Sequence, residues 1–197
     1  MARDRPERPE APPLRLFAAV DIPPKVQDAV DRIVAPWKER FPDARWVKPE
    51  NRHVTVKFLG RTSPGLVERV HGACRAAADR IRPFRVRADG MGVFPSPGRA
   101  RVLWVGLRDR EGGFRALAAA LDRELERDFP PEKRAFTAHL TVARFNPPQR
   151  LTEHAEAMAE VRVEAEPFRV TSLTLYRSHL SPKGARYEPL ERFALRG

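Results

Sequence analysis

His53-Val54-Thr55-Val56 and His139-Leu140-Thr141-Val142 decide how this chain is read, because the second tetrapeptide echoes the first 86 residues later. Each is a histidine, an apolar residue, a threonine and a valine. Each opens a run, His53 to Leu59 and His139 to Phe145, whose β-branched and aromatic content predicts a strand. Side chains alternate faces along a strand, so His53 and Thr55 share one face and Val54 and Val56 the other. The same rule separates His139 and Thr141 from Leu140 and Val142. The aliphatic face can pack on a core while the polar face opens to a groove. Two such strands side by side bring two imidazoles and two hydroxyls into one small volume.

That set of groups suits phosphate ester chemistry without a metal. Imidazole titrates near neutral pH, so one histidine can take a proton from an attacking water or hydroxyl while the other gives one to the departing oxygen. Acid and base on opposite sides of phosphorus fit an in-line displacement. The threonine hydroxyls can donate to the non-bridging oxygens, where charge builds in the transition state. A lone motif of this kind more often marks a strand histidine with a satisfied hydrogen bond; the pair carries the reading. A metallohydrolase fits less well, since neither motif has the carboxylates that divalent metals favour.

Working outward, the 197 residues are enough for one substantial domain or two small lobes sharing a core, and 42% are apolar. The formal charge of +11 favours a polyanionic partner such as nucleic acid. Arginine outnumbers lysine 31 to 6 amid many Ala and Pro, a bias that a GC-rich genome also produces. Cys74 is the single cysteine, which rules out an intramolecular disulfide and a cysteine-rich zinc site, and a reducing cytoplasm is the simplest location. No apolar run approaches the ~20 residues of a membrane span. The polar, proline-rich N-terminus lacks the apolar centre of a signal peptide. A soluble protein is expected.

Met1 to Pro13, with four prolines and six charged residues, reads as a disordered tail without a catalytic part, and 14–197 as a single domain. Arg15 to Asp21 is a first strand. A helix over Lys25 to Arg40 follows, with Val26, Ala29, Val30, Ile33 and Trp37 on its apolar face and Pro36 set to kink or end it. After a short extended piece, Arg45 to Pro49, and the first motif strand, Ser63 is expected to cap a helix that reaches Ile81 and carries His71 and Cys74. Extended runs at Phe84 to Val93 and Arg101 to Leu107 precede a helix from Glu111 to Phe129, stopped by Pro130-Pro131. Lys133 and Arg134 lead into the second motif strand. Asn146 to Gln149 reads as a turn and Leu151 to Ala159 as a short helix. Phe168 to Tyr176 and Tyr187 to Leu195 read as closing strands, with a loop over Arg177 to Gly184. The order implies two halves, each with strands, a packing helix and one motif, related by a pseudo-twofold that faces the motifs together. Outside the tetrapeptides the repeat is weak.

The ensemble resembles the 2H phosphoesterases, named for two His-x-Thr/Ser-x motifs, and within them the bacterial and archaeal RNA 2′,3′-cyclic phosphodiesterases, also called 2′-5′ RNA ligases. The resemblance runs from Arg15 to the C-terminus through RLFAAVDIP, RWVKPENRHVTVKFLG, FPSPGRARVLWVG, AHLTVARF and LYRSHLSPKGARYEPL. It implies an α+β, bilobal fold: two lobes of antiparallel sheet with helices outside and a central groove. The implied activity is hydrolysis of a terminal 2′,3′-cyclic phosphate of RNA to a 2′-phosphate, with no cofactor and no metal. His53 would protonate the departing 3′ oxygen, His139 would activate water, and Thr55 and Thr141 would hold the phosphoryl oxygens. Activity should be bell-shaped in pH, since one histidine must be charged and the other neutral. The same site run backwards joins a cyclic phosphate end, as in tRNA halves, to a 5′-hydroxyl, and reversibility exchanges the histidines' roles. A catalytically silent RNA-binding module is the reading from another class, against which the retention of all four motif residues argues.

Further candidates surround the motifs. Arg144 stands where the family tends to contact nucleotide, and its guanidinium can pair a phosphate bidentately; a solvated strand-end charge is the plain alternative. Arg134 and Lys57 can line the groove, strict alternation placing Lys57 with His53 and Thr55. Phe17 can stack on a base or sit in the core. His179 lies in a loop that can border the site, and His71 is an ordinary helix-surface residue. Arg52 precedes the first motif where the family commonly has an apolar residue. With no large exposed apolar pattern, a monomer is expected.

Overall fold

The computed structural model describes residues 11–132, 134–182 and 184–197. The tail reading falls mostly on residues outside these; Ala11 to Pro13 are exposed and precede the first strand. The elements run β1 (Leu14–Asp21), α1 (Pro24–Arg40), β2 (Arg45–Trp46), β3 (His53–Thr62), α2 (Val67–Asp79), β4 (Phe84–Phe94), β5 (Ala100–Arg108), α3 (Gly113–Leu125), β6 (His139–Gln149), α4 (Ala155–Glu160), β7 (Phe168–Val170), β8 (Ser172–Ser181) and β9 (Gly184–Ala194).

These strands form two sheets, β3-β1-β8-β9 and β2-β6-β5-β4-β7, antiparallel in every pairing. The α+β expectation holds, and each sheet carries one motif strand. The pseudo-twofold is visible in register. β1-α1-β3 matches β5-α3-β6: Asp21 lies opposite His53 and Ala19 opposite Thr55, just as Gly106 lies opposite His139 and Trp104 opposite Thr141. The motif strands pack on helices from the opposite half. Lys57 of β3 reaches Asp122 of α3, and Phe145 of β6 meets Phe41 just after α1 edge to face.

The helices form where the apolar spacing places them. Val26, Ala29, Val30 and Val34 bury the inner face of α1, with Ile33 and Trp37 half-buried at its margin. Pro36 neither ends nor interrupts this helix. In α3 the expected face, Phe114, Leu117, Ala118, Leu121 and Leu125, is buried. Its start comes two residues later than Glu111, where Asp109 accepts from the Glu111 and Phe114 backbone N–H groups. Ser63 makes no capping side-chain bond; a 3-10 turn, Pro64–Leu66, leads into α2 instead. One apolar cluster runs through both sheets and all four helices. Cys74 is buried in it, which pushes its thiol up to about 12.

Three boundaries differ from the sequence reading for reasons of pairing. Phe168 to Tyr176 is two strands: β7 pairs with β4 in one sheet and β8 with β1 in the other, so the chain changes sheets at Thr171. The expected loop Arg177 to Gly184 is mostly hairpin, because β8 and β9 stay in register out to Ser181 and Gly184. The expected turn at Asn146 to Gln149 is the end of β6, with Ala100 opposite Gln149.

Candidate functional site

β3 is an edge strand of its sheet, and β6 stands next to the two-residue edge strand β2 of the other. The motif strands therefore meet across a groove between sheets without pairing to each other. Val47, Asn51, His53, Thr55, His139, Thr141, Arg144 and Tyr187 close around a cavity of about 50 Å³ at the bottom of that groove. Both histidines, both threonines and Arg144 thus reach one volume, as the motif reading requires.

Arg144 arrives there through a bulge. By strict alternation it would face away from His139 and Thr141. However, the β5–β6 register passes from Trp104 opposite Thr141 to Leu103 opposite Ala143, so Val142 is an extra residue. A β-bulge of this kind reverses the facing of everything beyond it. Val142 and Ala143 are both buried, and Arg144 turns out to the groove.

The same device at the same motif position overturns the expectation for Lys57. Ala19 lies opposite Thr55 and Ala18 opposite Lys57, which leaves Val56 extra. Lys57 therefore points inward with only 2% exposure, donating to Asp122 Oδ1 at 2.5 Å and the Pro130 carbonyl at 2.9 Å. Phe58 takes the groove position instead, 45% exposed, with the Arg15 guanidinium 4.7 Å above its ring. A second irregularity, between Phe58 and Gly60, is met by Gly60 at φ +69°, a conformation natural to glycine.

Of the two places open to it, Phe17 takes the core. It is 3% exposed, and its ring is stacked against His53 at 4.6 Å and Tyr176 at 5.2 Å, with Tyr187 edge-on at 5.1 Å. It is core that orients the imidazole, not a platform open to a base. His139 is held by Phe94, edge to face at 5.0 Å. Phe94 packs on Trp104, which lies flat on β4 because residue 92 is glycine; a Cβ there would fall 2.3 Å from the indole.

The electrostatics differ between the two histidines. Burial pushes His53 down to about 4, against the charge of Asp21 and a hydrogen bond with the Asn51 backbone, while Arg144 and His139 press it further down. His139 is also lowered, by burial and the Arg144 charge, against a hydrogen bond to the Thr137 carbonyl. That bond, 2.8 Å from Nδ1, fixes the tautomer: Nδ1 donates to Thr137 and Nε2 keeps its lone pair. Among the described residues, Asp21, at the end of β1, has no carboxylate counterpart beside His139, where Gly106 stands. It accepts from Thr174 Oγ1 at 3.0 Å, Tyr176 Oη at 2.5 Å and Arg192 at 2.9 Å. Burial and this carboxylate raise the Tyr176 phenol, so it remains a donor.

The sequence reading did not single out Asp21, Asn51, Tyr176 or Tyr187. Asp21 and Tyr176 carry no signal short of the β3-β1-β8 pairing, but Asn51 could have been found: it stands two residues before its histidine, as Thr137 does. Arg52, the departure beside the first motif, is buried as a tie between β3 and α1. Its guanidinium donates to Asp31 at 2.7 Å and to the Val47 carbonyl at 3.0 Å. Burial raises Asp31, but the bonds and charges of Arg52 and Lys38 outweigh it and hold the carboxyl below its usual value.

Three hollows adjoin the cavity, one of them, of about 340 Å³ beside His53 and Tyr187, carrying Asp21, Asp28 and Glu50. Also on the His53 side, a groove of about 620 Å³ is lined by Arg15, Arg45, Lys48 and Arg144 and the exposed ring of Phe58, with no carboxylate among the described residues that line it. On the His139 side a cleft of about 500 Å³ carries Phe58, Phe94, Phe136, Arg115 and Arg134 together with Asp122 and Glu132. Arg134 lies in the lining of this cleft, whereas Lys133 lies outside the described residues. His179 does not border the cavity: it bonds Glu188 at 2.6 Å in the β8–β9 hairpin, and that bond lowers Glu188. His71 pairs with Glu191 at 2.6 Å on the α2 surface. Among the described residues, no three His, Cys, Asp or Glu side chains group as metal ligands.

Comparison with known proteins places this geometry. The family model of the 2′-5′ RNA ligase superfamily matches residues 22–182. The RNA 2′,3′-cyclic phosphodiesterase of Methanothermobacter thermautotrophicus is 36% identical over 184 residues, 92% of this chain and 99% of that one. Among solved structures, TT0787 of Thermus thermophilus superposes with a TM-score of 0.77 at 30% identity, covering 93% of this chain and 99% of its own. Escherichia coli LigT complexed with 3′-AMP superposes with a TM-score of 0.67 at 28% identity, covering 95% and 100%.

Proposed function

Because the chain belongs to the 2′-5′ RNA ligase superfamily, we propose that it is an RNA 2′,3′-cyclic phosphodiesterase that hydrolyses the cyclic end to a 2′-phosphate without a metal. The observation that carries this is the convergence of His53, Thr55, His139, Thr141 and Arg144 on one cavity. A small cavity with two imidazoles at its wall and a guanidinium beside them suits a single phosphoryl group.

His139 is the base: its Nε2 lone pair takes a proton from water as the water oxygen bonds to phosphorus. The bond from phosphorus to the 3′ oxygen breaks, and that oxygen takes the proton of His53. This division is the one the family resemblance implies, and Asp21 supports it by opposing the burial that pushes His53 down to about 4, whereas no carboxylate among the described residues does so for His139. The phosphate's negative charge raises both imidazoles from their depressed values, so substrate binding and protonation reinforce each other. Thr55, Thr141 and Arg144 donate to the non-bridging oxygens.

The upstream RNA, joined to the phosphate through its terminal ribose, lies on the leaving-group side. Of the two hollows beside His53, the one lined by Arg15, Arg45, Lys48 and Arg144 suits the RNA better than the one that carries Asp21, Asp28 and Glu50. Joining to a 5′-hydroxyl is the same displacement with that hydroxyl in place of water. This corrects the exchange of roles expected from the sequence: in joining, as in hydrolysis, the 3′ oxygen departs, so the histidines keep their roles and exchange them only when a 2′-5′ bond is cleaved. The donor set of the cavity, imidazole, hydroxyl and guanidinium, supports the metal-free reading. No helix among the described residues is long and apolar enough to cross a membrane.

The test is product analysis on a short RNA ending in a 2′,3′-cyclic phosphate, incubated with excess EDTA, with 2′- and 3′-monophosphates resolved by chromatography. Exclusive 2′-phosphate is expected. Turnover abolished by EDTA, or a 3′-phosphate product, would overturn the proposal.

A further inference from the structure

The sheet face that carries His139 does not end at the cavity. Gly106 lies opposite His139, and Arg108 follows two residues further along β5 on the same face. Arg108 lies directly opposite Arg87 of β4; Arg85 is on the same side of β4 and lies directly opposite Arg169 of β7. All four are exposed. Two cross-strand arginine pairs in adjoining positions set like charges face to face, an arrangement that weakens a sheet. Few contacts to carboxylate side chains form there among the described residues. Asp89 holds Arg108 at 3.0 Å and Arg162 at 3.5 Å, and Glu111 accepts the backbone N–H of Arg85. Among the described residues, no ion pair forms to Arg85, Arg87 or Arg169.

A row of four guanidiniums, only Arg108 among them ion-paired within the described residues, at ladder spacing of roughly 7 Å along a strand and 5 Å across, is what a phosphate backbone matches. Its direction selects the strand. In an in-line displacement the attacking group enters from the side of the base, His139, and the departing 3′ oxygen and its RNA lie on the side of His53. The arginine ladder extends from the His139 side.

We propose that Arg85, Arg87, Arg108 and Arg169 form a docking track for a second RNA strand, the one whose 5′-hydroxyl replaces water. The inference rests on the cyclic phosphodiesterase reading above. In the reaction the 5′ oxygen bonds to phosphorus and passes its proton to His139. The bond to the 3′ oxygen breaks, and that oxygen takes a proton from His53. The bond to the 2′ oxygen is kept, so a 2′-5′ linkage and a free 3′-hydroxyl result.

The test compares the full chain with the triple variant Arg85→Gln/Arg87→Gln/Arg169→Gln. Three reactions are followed: hydrolysis of a 2′,3′-cyclic mononucleotide, hydrolysis of a cyclic-phosphate-ended RNA, and joining of that RNA to a 5′-hydroxyl RNA. Both hydrolyses should be unchanged. The KM for the 5′-hydroxyl RNA should rise roughly 10- to 30-fold, and its salt dependence should lose about 2 units of logarithmic slope. Thermal stability should hold or increase, because like-charge pairs are relieved. Unchanged joining, a matching loss in hydrolysis of the cyclic-ended RNA, or no joining by the parent would each overturn the track. Failure of the parent on the cyclic mononucleotide would instead overturn the phosphodiesterase reading.

Discussion

Lys57 offers the sharpest separation of structure from chemistry, because it lies two residues beyond a motif threonine yet faces the core. Its ammonium is 2% exposed and held by Asp122 and the Pro130 carbonyl, whereas the Asp122 side chain keeps 29% exposure. Removing one partner of a buried pair costs about 3–5 kcal/mol, most of it from the charge left behind. The two partners are unequal in this respect. Asp122→Ala leaves an ammonium enclosed in apolar surroundings and should cost the full amount, about 3–5 kcal/mol. Lys57→Met leaves a carboxylate that water can reach and an unpaired Pro130 carbonyl, and fills the space with an apolar chain of similar length, so about 1–3 kcal/mol is expected. Urea unfolding followed by tryptophan fluorescence measures both, and the double variant should be less destabilised than the sum. Under conditions where Lys57→Met is folded, its turnover of a 2′,3′-cyclic mononucleotide should stay within a few-fold of the parent. A loss of 100-fold or more in a fully folded Lys57→Met protein, or an Asp122→Ala protein as stable as the parent, would refute the inward-facing ion pair.

The remaining expectations concern the cavity. With both imidazoles held below their ordinary value, the singly protonated free enzyme becomes scarce at neutral pH. The kcat/KM for a cyclic mononucleotide should therefore climb as pH falls from 8 toward 5, and Asp21→Asn should move that limb to lower pH, as a pH series on both proteins would show. Thr55→Val and Thr141→Val each remove a donor to the developing charge and should lower kcat roughly 10- to 100-fold, with little change in thermal midpoint. Folding stability is linked to the same protons. The unfolded chain protonates His53 near 6.5 and the folded chain near 4, so the unfolded state holds more protons between those values and stability falls as pH drops through them. The contribution reaches about 3 kcal/mol at most. Thermal midpoints at pH 7 and 4.5 should converge less for the parent than for His53→Gln.

The sequence by itself determined what is local and periodic. A period of two set His53 with Thr55 and His139 with Thr141, and a period near 3.6 found the buried faces of α1 and α3. Two copies of one tetrapeptide required a meeting of halves. These readings survive because strand alternation and helical spacing act over a few residues, whatever the chain does elsewhere. Only the tertiary structure decided which way the side chains beyond the motifs point. The bulges at Val56 and Val142 arise from pairing with β1 and β5, and no residue type at either position announces them. They turn Lys57 inward, place Phe58 and Arg144 at equivalent groove positions, and so replace one expected cation by an aromatic ring. Burial likewise decided Phe17, which the strand pattern left open between core and base platform. Asp21 acquired its place beside His53 through strand register, and Thr171 became a crossing point between sheets because the residues on either side found different partners. Pairing partners are distant in sequence, and their register is fixed by the whole sheet at once, which is why the bulges, the crossing and the charge beside His53 had to be seen in three dimensions.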